Sequence, residues 1–282
     1  MKKLLALLFI VSIVLQSCKT ETEPLPVSVE QGVEALVADT GGQHKAYPLN
    51  SNSSPYGYYL YTPGGYKPTG PKYPLLIFLH GSGEQGNSAT NPAALDKILV
   101  NGPPKLIKAK QWNPKTPMVV ASLQCHDGWW NAGKVKAVTE FLMKTYAIDT
   151  TRIYVTGLRM GGFGTWDLIG IYGKGSHVTA ALPISGSGTP STGRIARASK
   201  IPIWAFHGDQ DTQVPADFDK QMYTSINALN PPVKMKFTLY PGVGHNAWAR
   251  TYDNSAKGKP VDPRYNPFDM NVYDWLLQYK KH

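Results

Sequence analysis

Three stretches of the chain hold side chains able to cooperate in acyl transfer. Gly157-Leu158-Arg159-Met160-Gly161-Gly162-Phe163-Gly164 comes first, then His207-Gly208-Asp209-Gln210-Asp211-Thr212-Gln213-Val214-Pro215, then Gly244-His245. A carboxylate that orients an imidazole, and an imidazole that takes a proton from a nucleophile, are two parts of a covalent acyl-transfer site. His245 is the candidate base, and Asp209 and Asp211 compete for the acid. The third part is where the chain departs from such a site, because the residue between Gly157 and Gly161 is Arg159. A guanidinium stays protonated and offers no lone pair for attack. Relative to a serine at that position, the expected loss is on the order of a millionfold in turnover.

The elements needed to position these groups are legible around them. A strand ending at Thr156 runs into the glycine-flanked turn and then a helix, the layout of a nucleophile elbow. Gly157 and Gly161 leave room where the strand and helix approach each other. The helix start directs amide groups at the turn, so the Met160 N–H is one candidate oxyanion donor. A second is expected from the loop His80-Gly81-Ser82-Gly83-Glu84, with Ser82 chosen and Gly83 the near alternative. Apolar runs predict strands at 58–61, 75–79, 118–122, 153–156, 180–184, 203–207 and 234–240. Helices are expected at 93–101, 135–146, 161–172, 216–229 and 269–279. This alternation argues for an α/β domain over 51–282, its functional loops at the carboxyl ends of the strands.

From about Tyr58 to the C-terminus the chain resembles the α/β-hydrolase superfamily. It is most similar to secreted esterases: feruloyl esterases, polyhydroxybutyrate-depolymerase-like enzymes, and dienelactone-hydrolase and prolyl-oligopeptidase relatives. The resemblance rests on His80-Gly81-Ser82-Gly83, on Gly157 to Gly164 with Thr165-Trp166, on His207-Gly208 to Pro215, and on Gly244-His245. It implies an α/β-hydrolase fold, a mostly parallel central sheet with helices on both faces. It also implies a carboxylic ester substrate, small or polysaccharide-linked, and no cofactor. Asp211, which precedes Thr-x-Val-Pro, becomes the acid, and Asp209 a brace for its loop. Gln124 is expected near the active site, with Trp129-Trp130 as an aromatic wall and Trp130 touching substrate. His80 and His207 are read as hydrogen-bonded structural histidines. Thr156, Ser185 and Ser187 are not expected to substitute for the missing nucleophile. No metal is expected, because no His-x-His or His-Glu-x-x-His spacing accompanies the acids.

Three readings of Arg159 stay open: a scaffold that keeps its pocket for binding, a replacement in an otherwise competent esterase, and a guanidinium that answers a ligand's carboxylate. An elbow located elsewhere lacks support, since Gly186-Ser187-Gly188 does not have the spacing. The first reading makes the chain a catalytically inactive surface lipoprotein for an anionic or sugar ligand.

Residues 1–17 have the layout of a signal peptide, with Lys2-Lys3 before an apolar run that is short for a bilayer span. Leu15-Gln16-Ser17-Cys18 resembles a bacterial lipobox, which makes Cys18 the expected lipidation site. An extracytoplasmic, membrane-anchored protein at the periplasm or cell surface follows, with 18–50 as a polar tether. Cys125 is then the one cysteine left in the body, read as a buried thiol. The formal charge of +10 falls to +8 without Lys2 and Lys3. These charges are scattered and accompany no nucleic-acid-binding signature, so nucleic acid is not an expected partner.

Overall fold

The computed structural model describes residues 41–281. The expected signal segment, Cys18 and most of the tether lie outside them. Among the described residues no helix is long and apolar enough to cross a membrane.

Eight strands form one sheet: β1 (Gln43–Tyr47), β2 (Gly57–Thr62), β3 (Tyr73–Leu79), β4 (Val119–Gln124), β5 (Ile148–Leu158), β6 (Ala180–Ile184), β7 (Trp204–Gly208) and β8 (Lys236–Tyr240). Their order is β1-β2-β4-β3-β5-β6-β7-β8. β2 pairs antiparallel with both β1 and β4, and every pairing from β4 to β8 is parallel. The α/β-hydrolase architecture is therefore present, with helices α1 (Gly102–Lys108), α2 (Ala132–Thr145), α3 (Met160–Tyr172), α4 (Thr192–Ala198), α5 (Asp217–Ala228), α6 (Trp248–Tyr252) and α7 (Val272–Leu277).

β3 and β4 are buried along their whole length, as parallel strands covered on both faces must be. Alternate residues of β3 divide between two cores. Leu75, Ile77 and Leu79 pack with Val135, Val138 and Leu142 of α2, Trp166 and Ile169 of α3 and Met222 of α5. Leu76 and Phe78 pack with Ile107 of α1, Tyr252 of α6 and Trp275 of α7. The sheet thus holds its carboxyl-end loops from both sides.

Several expectations need correction. Residues 43–47, assigned to the tether, form edge strand β1, whose largely exposed Gln-His-Lys-Ala-Tyr sequence has no apolar alternation. The 102–112 stretch, given no element from the sequence, contains α1, whose Pro103 and Pro104 occupy helix-start positions where their missing N–H groups cost little. Residues Pro92–Val100 form a run of 3-10 turns instead of an α-helix. The last helix is shorter than 269–279 because Asn271 caps it, its side chain accepting from the Tyr273 and Asp274 amides. α4 and α6 are short elements that the periodicity did not reveal.

Candidate active site

β5 ends at Leu158 and α3 begins at Met160, so the turn between them is the single residue Arg159. Arg159 has φ 51° and ψ −116°, a conformation sparsely populated by residues with a side chain. The surroundings hold it there. Its N–H donates to Ile184 O at 3.0 Å, and its carbonyl accepts from the Phe163 N–H at 3.0 Å. A Cβ on Gly157 would lie 2.2 Å from Gly161 O, and one on Gly161 would lie 1.9 Å from Leu79 O. The elbow therefore keeps the backbone that presents one side chain above the sheet, and presents an arginine.

The loop after β3 lies against this turn. A Cβ at Gly81 would come within 3.6 Å of the Arg159 Cβ. Ser82 follows on the 3-10 turn Ser82–Glu84, half-buried, while Met160 at the start of α3 is buried. Glu84 is buried as well, and its Oε1 accepts from Asn101 Nδ2 at 2.6 Å. Burial pushes the Glu84 carboxyl up from its ordinary range, while Asn101, the Gly81 backbone and the Arg159 guanidinium act in the opposite direction. Among the described residues the guanidinium itself makes no hydrogen bond or ion pair.

The acid and the imidazole meet on the loops after β7 and β8. His245 Nδ1–H donates to Asp211 Oδ2 at 2.7 Å. The His245 side chain is 9% exposed, and its buried Nε2 has no hydrogen-bond partner among the described residues. Trp248 stands edge-on to the ring at 5.1 Å, and its indole N–H donates to Asn101 Oδ1 at 3.2 Å. Asp211 Oδ1 accepts from the Gln213 and Val214 amides, each at 2.9 Å. Burial pushes the Asp211 carboxyl up, but the bonds from His207, the Val214 amide, His245 and the Gln213 amide outweigh it and hold the group well below the usual carboxylate range. Asp209 Oδ1 accepts from the Gly242 N–H at 2.7 Å and so ties the β7 and β8 loops together. A cleft of about 620 Å³ opens beside His245, lined also by Val243, Arg250, Asp253 and Lys259. Among the described residues no group of His, Cys, Asp or Glu side chains could hold a metal ion.

Matches to a family model decide the relationship: residues 104–266 match the dienelactone hydrolase family. The chain belongs to this family. Comparison with curated proteins finds no match. Among solved structures, this dienelactone hydrolase family member is similar to a thermostable esterase at 25% identity, with a TM-score of 0.60 over 86% of this chain and 64% of that one. It thus spans just under two thirds of that esterase's length. The fold is shared with the feruloyl esterase module from Clostridium thermocellum complexed with sinapinate (16% identity, TM-score 0.55, 76% and 85% of the two chains). It is shared also with a truncated carbohydrate esterase from gut microbiota (18% identity, TM-score 0.55, 87% and 99%).

Trp130, expected to touch substrate, and Gln124, expected near the active site, are both buried side chains. Trp130 is 3% exposed, donates its indole N–H to His80 O at 3.1 Å and packs edge-on against Tyr56 at 5.2 Å. It is a core side chain, and its neighbour Trp129 is the exposed one, 5.5 Å from the Phe163 ring on the first turn of α3. Gln124 is buried, its amide donating to Ala94 O at 2.5 Å and to Glu84 O at 3.3 Å. It braces the loop after β3 from behind. Ser185, not expected to substitute for the nucleophile, donates its Oγ–H to His245 O at 2.9 Å and so holds the main chain of the base. Asp219, the partner of His207, carried no sequence signal, since nothing in residue spacing links α5 to the strand before it.

Proposed function

We propose that the chain is a carboxylic ester hydrolase of the acyl-enzyme type, for small or carbohydrate-linked esters, stopped at its first step by Arg159. The observation that carries this reading is the intact Asp211–His245 pair, whose His245 Nε2 is buried and, among the described residues, unpartnered, at the carboxyl ends of the same sheet that carries an elbow of correct backbone shape. With a serine at 159, His245 would accept the hydroxyl proton at Nε2 as the oxygen attacks the ester carbonyl. The Met160 and Ser82 amides would receive the negative charge on the carbonyl oxygen. The imidazolium would then return its proton to the leaving alcohol, and water would repeat the sequence to release the acid. Arg159 supplies no attacking lone pair.

The deciding experiment compares the unmodified chain with Arg159→Ser on p-nitrophenyl acetate and a feruloyl ester, folding being checked by circular dichroism. Turnover should rise by several orders of magnitude, up to about a millionfold. A folded Arg159→Ser chain without turnover sinks the reading.

A second reading is favoured by the Arg159 guanidinium at the start of α3, which acts on Glu84 through its charge but makes no hydrogen bond or ion pair among the described residues. In that reading the chain captures carboxylate ligands, acidic sugars or aromatic acids, without turning them over. It requires ferulate to bind the unmodified chain and Arg159→Ala to weaken that binding. Equal affinity removes its motivation. For the N-terminal part we infer lipidation at Cys18 and an extracytoplasmic, membrane-anchored location, supported by the sequence alone. Labelling with radioactive palmitate that survives Cys18→Ser would reject the anchor.

A further inference from the structure

Behind the Asp211–His245 pair lies a second histidine–aspartate pair that the reaction above does not use. Trp166 Nε1–H of α3 donates to Asp219 Oδ1 at 3.0 Å, and Asp219 Oδ2 lies 2.8 Å from His207 Nδ1. His207 Nε2 lies 3.1 Å from Asp211 Oδ2 and 2.8 Å from Val214 O. The side chains of His207, Asp211 and Asp219 are fully buried. Val214 O can only accept, so Nε2 must carry a proton and donate. Asp211 Oδ2 then receives two N–H groups, one from each histidine.

We propose that Asp219 and His207 are positioning residues: Asp219 holds His207 as an imidazolium, and His207 fixes Asp211 and moderates how strongly that carboxylate supports His245. The role in ester hydrolysis rests on the reading above, but the coupling between the two histidines does not. Its physical basis is shared acceptance. A carboxylate oxygen that already receives a charge-assisted bond from His207 carries less negative potential for His245. The imidazolium also adds a positive charge two hydrogen bonds away from His245, across a buried carboxylate where screening is weak. The groups facing His207 are Asp211, Asp219 and the Val214 carbonyl. Those facing His245 are Asp211 and Trp248, the latter leading through Asn101 to the Glu84 carboxyl, and, along the cleft beside it, Arg250, Asp253 and Lys259. Burial alone would lower the His207 basicity, but Asp211 and Asp219 raise it to about 9, in agreement with the geometry.

The test uses the unmodified chain with isotopically labelled histidine, so no turnover is required. Asp219→Asn preserves the hydrogen-bonded shape, since Asn can still accept from Trp166 and donate to His207 Nδ1, and it removes the charge that keeps His207 an imidazolium. The NMR titration midpoint of His245 should move upward by about one pH unit in Asp219→Asn and in His207→Gln. The low-field signal of the His245 Nδ1 proton should persist in Asp219→Asn. An unmoved midpoint in a folded Asp219→Asn chain overturns the proposal. Loss of the fold in both variants also overturns it, because the pair would then be an element of core stability alone. A failure of Arg159→Ser to turn over esters rejects the hydrolase reading and leaves this titration as it was.

Discussion

His80 and His207 occupy corresponding places in the fold. Each stands at the carboxyl end of a parallel strand, each precedes a glycine, and neither is exposed. Their surroundings give them opposite charge states. His80 donates through Nδ1 to Gly81 O at 2.5 Å, accepts the Cys125 N–H at Nε2 at 2.9 Å, and packs on Trp130. One nitrogen donates and the other accepts, so the ring is neutral, and burial brings it down to about 4. His207 has only acceptors around it, two of them carboxylates, and is held up at about 9 despite burial. The same dipeptide thus serves as a neutral strut under the elbow and as a cation behind the acid. What separates them is the group that another part of the chain delivers, the Cys125 N–H in one place and the Asp219 carboxylate in the other.

The largest effect that sharpens this contrast concerns the acid that His207 supports. In the Arg159→Ser background, Asp211→Asn should lower kcat on p-nitrophenyl acetate by about ten-thousandfold, since an amide neither fixes the imidazole tautomer nor stabilises its charged form. His80→Gln, on the elbow side, should lower kcat by less than about tenfold. If the two losses were of similar size, the division between strut and relay would collapse.

The sequence made one of these regions far more readable than the other. Gly157 and Gly161 announce the elbow because backbone atoms approach within distances that exclude any Cβ, a steric demand that leaves a fixed spacing. The order of Asp211 and His245 after their strands is similarly local. Asp219 is different, for its partnership with His207 depends on how α5 packs, and no period in the chain encodes that. The choice of Trp130 over Trp129 as the substrate contact fails because neighbouring residues on an irregular loop have no alternation to say which points inward. β1 was missed for a related reason: an exposed edge strand pairs through its backbone and needs no apolar face.

Stability against pH should separate the two histidines next. His207 is raised from 6.5 to about 9 in the folded chain, so its contribution is full below pH 6.5 and is lost as pH rises to 9. His80 is lowered to about 4, so its contribution, about 3 kcal/mol, is present above pH 6.5 and is lost as pH falls from 6.5 to 4. Asp211, whose carboxyl is held down, loses its contribution only below about pH 4. Thermal melting across pH should therefore lose its alkaline flank in His207→Gln and flatten between pH 4 and 6.5 in His80→Gln. Identical profiles in the two variants would show that the histidines share one charge state.

The smallest effect belongs to Trp129, and it is informative because the side chain is half-exposed. Its ring rests edge-on against Phe163, whose amide closes the turn at Arg159, so it borders the elbow without supporting the core. Trp129→Ala should change stability by less than about 0.5 kcal/mol, as exposed substitutions do. In the Arg159→Ser background the same change should raise KM for a feruloyl ester by up to about tenfold, the scale of one lost aromatic contact, and leave p-nitrophenyl acetate nearly unaffected. An equal change for both esters would mean that Trp129 shapes the elbow itself, since a contact reserved for an aromatic acyl group cannot alter a substrate that lacks one.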